Sequence, residues 1–167
     1  MTRTIRPALA TDAEAIAAIG RRSFVWAFGH LYPRKEVLDR YLDATYSVAK
    51  IAASLAKPAN VYFVAEGDRI EGFLKLKAES PDRWQTQKLY IDPDLIQGGA
   101  GKQLMAAGEE AMLRRGVASS WLVVYEGNGR ALRFYAGLGY APAGTRTLDF
   151  EGTLIRFLEM EKTFLAP

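Results

Sequence analysis

The stretch that most constrains this chain is a run of glycines set between two kinds of periodicity. Trp84 to Ile91 reads as a strand whose end is punctuated by Asp92-Pro93, and Ile96-Gln97-Gly98-Gly99-Ala100-Gly101-Lys102 follows. From Gly99 to Arg115 the residues Leu104, Gly108, Ala111 and Met112 recur at helical spacing, with Arg114-Arg115-Gly116 as a C-terminal signal. Strand, glycine turn and helix in that order make an α/β unit. Glycines let the backbone approach a ligand, and a helix N-terminus offers unpaired N–H groups to an anion. A phosphate site is therefore one reading, and a sharp turn without a ligand is the other. A P-loop needs glycine where Ile96 stands and Ser or Thr where Gln103 stands. A dinucleotide fingerprint beginning at Gly99 needs glycine where Leu104 stands.

The flanking patterns place this unit in a larger α/β order. Thr4-Ile5-Arg6-Pro7-Ala8 reads as a short strand, and Thr11 and Asp12 are expected to cap a helix carrying Ala15, Ile16 and Ile19. Arg34 to Tyr46 reads as a second helix with Val37, Leu38, Tyr41 and Leu42 on one face and Asp39 and Asp43 on another. Val48 to Lys57 is a third, ended by Pro58. Val61 to Ala65 and Ile70 to Leu76 form a hairpin about Gly67-Asp68. Trp121 to Tyr125 is a buried strand and Asn128 to Gly137 a short helix. Thr145 to Phe150 and Leu154 to Glu161 close the chain as a hairpin around Glu151-Gly152. This order predicts an α/β domain with a mixed, mostly antiparallel sheet.

Composition narrows the chemistry. The chain has 167 residues, no cysteine and a single histidine, His30. One domain, residues 1–167, suits that length. The counts exclude a disulfide framework, Cys-based metal sites and a thiol nucleophile, leave no His-rich metal site, and argue against a Ser-His-Asp triad. No metal is expected. The net charge of +3 comes from 22 Lys and Arg against 19 Asp and Glu. Arg21-Arg22, Arg34-Lys35 and Arg114-Arg115 each stand near acidic residues, which reads as a mixed-charge surface rather than a nucleic-acid face. No apolar run is long enough for a membrane span, and Arg3, Arg6, Asp12 and Glu14 break any secretory core, so a soluble cytoplasmic protein is expected.

Lys88-Leu89-Tyr90-Ile91-Asp92-Pro93, the glycine loop and the helix to Gly116 together resemble motif A of the GNAT (GCN5-related N-acetyltransferase) superfamily. Asn128-Gly129-Arg130-Ala131-Leu132-Arg133-Phe134-Tyr135, followed by Gly139-Tyr140, is similar to its motif B. Ile5-Arg6-Pro7-Ala8 with Thr11-Asp12 is similar to its first strand and helix, so the resemblance runs from about residue 3 to 162. One departure stands out. The family's loop pattern opens on Gln or Arg, and here Ile96 fills that position while Gln97 sits one place late.

The resemblance implies a sheet flanked by helices and splayed between its fourth and fifth strands, with acetyl-CoA as co-substrate. The cofactor's pyrophosphate would lie on the amides of Gln97, Gly98, Gly99, Ala100, Gly101 and Lys102. Because those groups are mainly backbone, the loss of the loop's first side chain weakens contacts without abolishing them. Lys102 either adds a point charge or is an ordinary surface lysine. The pantetheine arm would pair like an added strand with Leu89, Tyr90 and Ile91, and a backbone N–H near Tyr90 or Ile91 would stabilise an oxyanion. Asn128 would cap its helix and bond the pantetheine.

Tyr135 is either a core aromatic beside Phe134 or, as the resemblance implies, the acid that protonates the leaving thiolate. The base is less defined. An alkylamine is neutral in only about one molecule in 2,500 at pH 7, worth roughly 4.6 kcal/mol. The strand positions where many relatives carry Glu hold Gln85 and Gln87. Glu126 is then the acidic candidate, with a water relay, prior deprotonation and a plain loop carboxylate as the alternatives.

Acceptor specificity in this family comes from the segment between the first strand and the hairpin. Phe24, Trp26, Phe28, His30, Tyr32, Tyr41 and Tyr46 lie there with Glu36, Asp39 and Asp43, a mix that suits a cationic amine if it is not simply core. The layout is weakly similar to the family's polyamine-acetylating branch. The expected activity is acetyl transfer to a small primary amine such as a polyamine, with homodimers frequent among relatives. A protein or peptide acceptor is the rival enzyme reading, and a non-catalytic acyl-CoA-binding regulator is the rival from another class.

Overall fold

The computed structural model describes residues 2–164. The chain opens with β1 (Thr4–Pro7), a 3₁₀ turn, α1 (Ala13–Phe28), α2 (Lys35–Tyr46) and α3 (Val48–Leu55). It continues through β2 (Asn60–Glu66), β3 (Ile70–Ala78), β4 (Arg83–Ile91), a second 3₁₀ segment (Pro93–Gly98) and α4 (Ala100–Arg114). It ends with β5 (Ser119–Tyr125), α5 (Gly129–Gly137), β6 (Ala141–Phe150) and β7 (Thr153–Thr163). The strands form one seven-stranded sheet in the order β1-β2-β3-β4-β5-β7-β6. Every neighbouring pair is antiparallel except β4 and β5, which run parallel.

Two local expectations shift. Asp12 does not cap α1: its carboxylate accepts from the Leu9 N–H at 2.7 Å and from Arg6 at 2.8 and 3.1 Å. The nearby guanidinium wins the carboxylate and turns it back over the 3₁₀ turn. β6 begins at Ala141, ahead of the expected Thr145, although Ala-Pro-Ala-Gly is poor strand sequence. Its partner β7 organises it, and a register break between Pro142 and Gly144 accommodates the proline on this edge strand.

Both faces of the sheet are covered. On one, Ile16, Phe24, Tyr46 and Ile51 of the first three helices pack on Val64 and Phe73. On the other, Ala100, Leu104 and Met112 of α4 pack on Leu74, Leu76, Leu122 and Met160. Each such aliphatic side chain contributes about 1.5–3 kcal/mol when fully buried. Gly108 lets α4 lie against β3, because a Cβ there would meet Leu74 at 2.5 Å. The basic pairs read from sequence are largely neutralised on the surface, with Arg21 on Asp43, Lys35 on Asp39 and Arg114 near Glu110. Among the described residues, no helix is long and apolar enough to cross a membrane.

Candidate active site

The parallel strands β4 and β5 stay together only at their beginnings, where Arg83, Trp84 and Gln85 face Ser119, Ser120 and Trp121. A buried bond of 2.8 Å between the Thr86 and Ser120 hydroxyls closes this joined end. At Gln87 β4 bulges, because Lys75 faces Lys88 while the adjacent Leu76 faces Thr86. Beyond that point β5 keeps only its pairing with β7, which runs along its whole length, and one edge of β4 has no strand beside it. The Asp92 N–H bonds the Glu71 carbonyl at 2.8 Å, so strand alternation turns the Tyr90 backbone toward β3 and those of Leu89 and Ile91 toward the gap. The three-residue edge expected from sequence therefore narrows to Leu89 and Ile91. Ser23 of α1 already holds the Ile91 carbonyl at 3.0 Å.

The glycine loop stands at the open end of this gap. Gly99 has φ +82° and precedes α4, and a Cβ built on it would meet nothing within 4 Å. The first bond into the helix runs from the Gln103 N–H to the Gly99 carbonyl at 3.2 Å. The N–H groups of Ala100, Gly101 and Lys102 belong to the helix's unsatisfied first turn. A Cβ on Gly101 would lie 3.6 Å from Phe134 and 3.8 Å from Leu89 and Ile91, so the loop, the gap edge and α5 converge there. Open space, free backbone donors and a helix start suit an extended, phosphate-bearing ligand.

Side chains far away in sequence brace the loop. Arg3 donates to the Gly98 carbonyl at 3.0 Å and to Gln103 at 2.9 Å, with its Nε on Glu71 at 2.6 Å. Asp92 is fully buried, accepts from Arg69 at 2.6 Å, Arg22 at 2.8 Å and the Asp94 N–H at 3.0 Å, and caps the 3₁₀ segment. Burial opposes its ionisation, but these donors hold its carboxyl below the usual range. Nothing near Arg3 in sequence signals its role, whereas Asp92 before Pro93 carries the mark of a helix start.

On the α5 side, Asn128 caps the helix by accepting from the Ala131 N–H at 3.1 Å, which leaves its amide NH₂ for a ligand. Tyr135 is half-buried with its ring 5.1 Å from Phe134 and 6.0 Å from Tyr140. Burial, reinforced by the Tyr140 and Tyr90 phenols, pushes the Tyr135 hydroxyl well above its ordinary value. Such a phenol keeps its proton at neutral pH, so it can act as a donor and not as a base. Glu126 follows β5 at the open end of the gap, exposed and 3.3 Å from Arg156.

The opposite face is lined with phenols. Tyr90 of β4 packs 6.1 Å from Tyr46 and 5.9 Å from Phe73, and burial pushes its hydroxyl up to about 12. The Lys88 ammonium lies 4.6 Å above the Tyr46 ring, and burial, with Lys75 and Lys50 nearby, pulls it down to about 8. On this face a cavity of about 410 Å³ opens between α2 and the β6–β7 turn, with Tyr32, Tyr41 and Phe150 in its wall. Glu36, Asp39 and Asp43 do not line it; Asp39 and Asp43 are paired with Lys35 and Arg21 on the outer surface. Among the described residues, no cluster of His, Cys, Asp and Glu is arranged to hold a metal.

A sheet parted between parallel strands, beside an anion-ready helix start, is the framework of an acetyltransferase, and comparison with known proteins agrees. Residues 21–140 match the model of the Acetyltransferase (GNAT) family, and the chain belongs to that family of N-acetyltransferases. An uncharacterized N-acetyltransferase of Mycobacterium tuberculosis is 33% identical over 82% of this chain and 88% of its own. Spermidine N(1)-acetyltransferase of Thermoplasma acidophilum is 24% identical over 90% of this chain and 95% of its own. The crystal structure of PaiA N-acetyltransferase from Thermoplasma acidophilum, in complex with coenzyme A, superposes with a TM-score of 0.83 at 23% identity. That match covers 98% of this chain and all of the other.

Proposed function

We propose that this chain is a single acetyltransferase domain that moves the acetyl group of acetyl-CoA to the primary amine of a small molecule. The observation that carries the reading is the convergence of the Gly99–Gly101 turn, the free edge of Leu89 and Ile91, and α5 on one gap. Acetyl-CoA, when bound, supplies an activated acyl group and a thiol leaving group. The N–H groups of Ala100 to Lys102 bind its pyrophosphate, and the exposed Lys102 adds positive charge. Leu89 pairs with the pantetheine amides, and Asn128 offers its NH₂ to the same arm. The Ile91 N–H, on the gap side of β4, is the donor for a developing oxyanion.

Tyr135 holds its proton at the phenolic oxygen and donates to the departing sulfur. The raised phenol makes full transfer harder than ordinary values of about 10 and 8.5 suggest, so much of its effect is a hydrogen bond that strengthens as negative charge grows. Glu126, exposed at the end of β5, relays the ammonium proton to solvent. A polyamine is one acceptor class to test, supported by the relative from Thermoplasma acidophilum whose name specifies spermidine.

The test is a screen for acetylated product with acetyl-CoA and polyamines, amino acids, aminoglycosides, simple amines and peptides. Product from a small amine is expected. Tight acetyl-CoA binding with no product from any amine would instead make the chain a regulator.

A further inference from the structure

The face of the sheet under α1 to α3 holds two lysines that no carboxylate neutralises. Lys75 of β3 and Lys88 of β4 are direct partners across the antiparallel pair, so their side chains leave the sheet on the same side. Each ammonium lies against a phenol ring, Lys75 at 5.9 Å from Tyr62 and Lys88 at 4.6 Å from Tyr46. Like charges directly opposite one another weaken a sheet, and here both residues are half-buried. Among the described residues the ion-paired lysines are Lys35 and Lys162, while Lys75 and Lys88 have no acidic partner. The charged groups that act on the pair from outside are Lys50, Lys57 and Lys77, all of the same sign. By contrast, Arg83 holds Glu161 at 3.1 Å and Arg146 holds Glu159 at 2.8 Å. Neither ammonium is sealed. The Tyr32 hydroxyl is the one side-chain N or O among the described residues that is both shut off from solvent and unpartnered, so the two ammonium groups reach open space.

The pair stands at the edge of the gap. β4 bulges at Gln87, where it parts from β5, and Lys88 is the next residue, one before the Leu89 edge. Gln85 faces Trp121, so Val123 of β5 flanks the parting strands on the face that carries Lys88. On the other face Ala131, Phe134 and Tyr135 of α5 pack with the core under α4 and occupy that side of the gap. An acceptor amine therefore approaches from the face of Lys88. Three residues separate Lys88 from Ile91, about 10 Å along a strand, so an anion at the lysines and an amine at the Ile91 N–H are the two ends of one short chain. A polycation taking this route would meet charges of its own sign.

We propose that Lys75 and Lys88 bind an anionic group, carboxylate or phosphate, carried by the acceptor itself, so that the enzyme prefers small amines with an acidic far end to polyamines. The proposal rests on the acetyltransferase reading and names the acceptor class of that same site.

Initial rates of the whole chain with acetyl-CoA and two matched pairs of amines, with spermidine as the polyamine, test it. The pairs are free lysine with cadaverine (its decarboxylated counterpart) and phosphoethanolamine with ethanolamine. At least one anionic member is expected to exceed its partner and spermidine about tenfold in kcat/KM, and the pair that shows this identifies carboxylate or phosphate. Lys88→Met should raise KM for that acceptor about tenfold at nearly unchanged kcat, and change its partner lacking the anion less than about twofold. Lys75→Met should raise the same KM about threefold, whereas Lys88→Arg should keep the preference. An unchanged KM in both methionine variants would overturn the role of the two lysines. Equal rates within both pairs, or preference for spermidine, would sink the anionic acceptor and leave the acetyltransferase reading standing. No product from any amine, with acetyl-CoA still bound, would sink both.

Discussion

The two faces of the sheet are packed by different kinds of residue, and the difference matches their tasks. The face under α4 is mainly aliphatic, built from Leu74, Leu76, Leu104, Met112, Leu122 and Val124, with Phe63, Trp84 and Tyr140 as its buried rings. The face under α1 to α3 is rich in phenols and rings, among them Phe24, Tyr32, Tyr46, Tyr62 and Phe73. On the α4 side, the groups proposed to bind the cofactor are mostly backbone N–H groups at the loop and the gap edge, so the side chains behind them only need to be rigid. On the other side, buried phenols and two lysines whose pKa values burial lowers, Lys75 and Lys88, make the packing itself polar. Backbone recognition thus leaves the core free to be plain, while side-chain recognition makes the core part of the site.

The sharpest attempt to break this contrast is Tyr135→Phe, which removes the one side-chain hydroxyl given a chemical role on the α4 side. An expected loss of about 100-fold in kcat, with acetyl-CoA affinity changed less than about twofold, would separate chemistry from binding there. An unchanged kcat would show that the backbone groups suffice.

Asp92→Asn tests the joint where the two faces meet. It removes a buried carboxylate shared by Arg22 of α1 and Arg69 beside β3, and a loss of about 2 kcal/mol corresponds to a Tm lower by roughly 4–8 °C. The acid branch follows from the lowered carboxyls of Asp92 and of Asp12, which Arg6 holds. A native carboxyl titrating below its unfolded value stabilises above about pH 3.9, and that stability is lost as pH falls through the native value. Tm should therefore drop steeply below about pH 4, less so in Asp92→Asn, as thermal melts across pH would show.

Lys88→Met sharpens the polar character of the phenol-rich face. Lys88 is pulled down to about 8, so between that pH and about 10.4 the unfolded chain binds a proton that the native chain has released. Stability rises with pH across this window, with Lys75, also near 8, contributing in the same sense. The methionine variant should melt about 2–4 °C higher at pH 7 and show a shallower alkaline rise. An identical rise would mean Lys88 does not titrate there. The smallest effect is expected from Glu126→Gln, about a threefold loss of kcat at pH 7 that fades above pH 10, where the amine is already neutral.

Periodicity and punctuation by themselves determined the order of elements, because the continuous apolar run Val61–Ala65 expresses a strand covered on both faces and helical spacing in Leu104–Met112 expresses burial along one side of a helix. Gly98-Gly99-Ala100-Gly101 and Asn128 were legible for a related reason: a left-handed turn and a helix cap depend on local backbone geometry that few residue types satisfy. Tertiary structure alone decided what depends on contacts across the chain. It placed Arg3 on Gly98, joined Asp92 to Arg22 and Arg69, turned the Tyr90 backbone away from the gap, and set Tyr32 against Phe150. It also took Asp39 and Asp43 to the surface, where sequence proximity to the aromatics had suggested a shared pocket. A local backbone conformation is written in neighbouring residues, whereas a side chain's partner is set by which distant segments the packed sheet brings together.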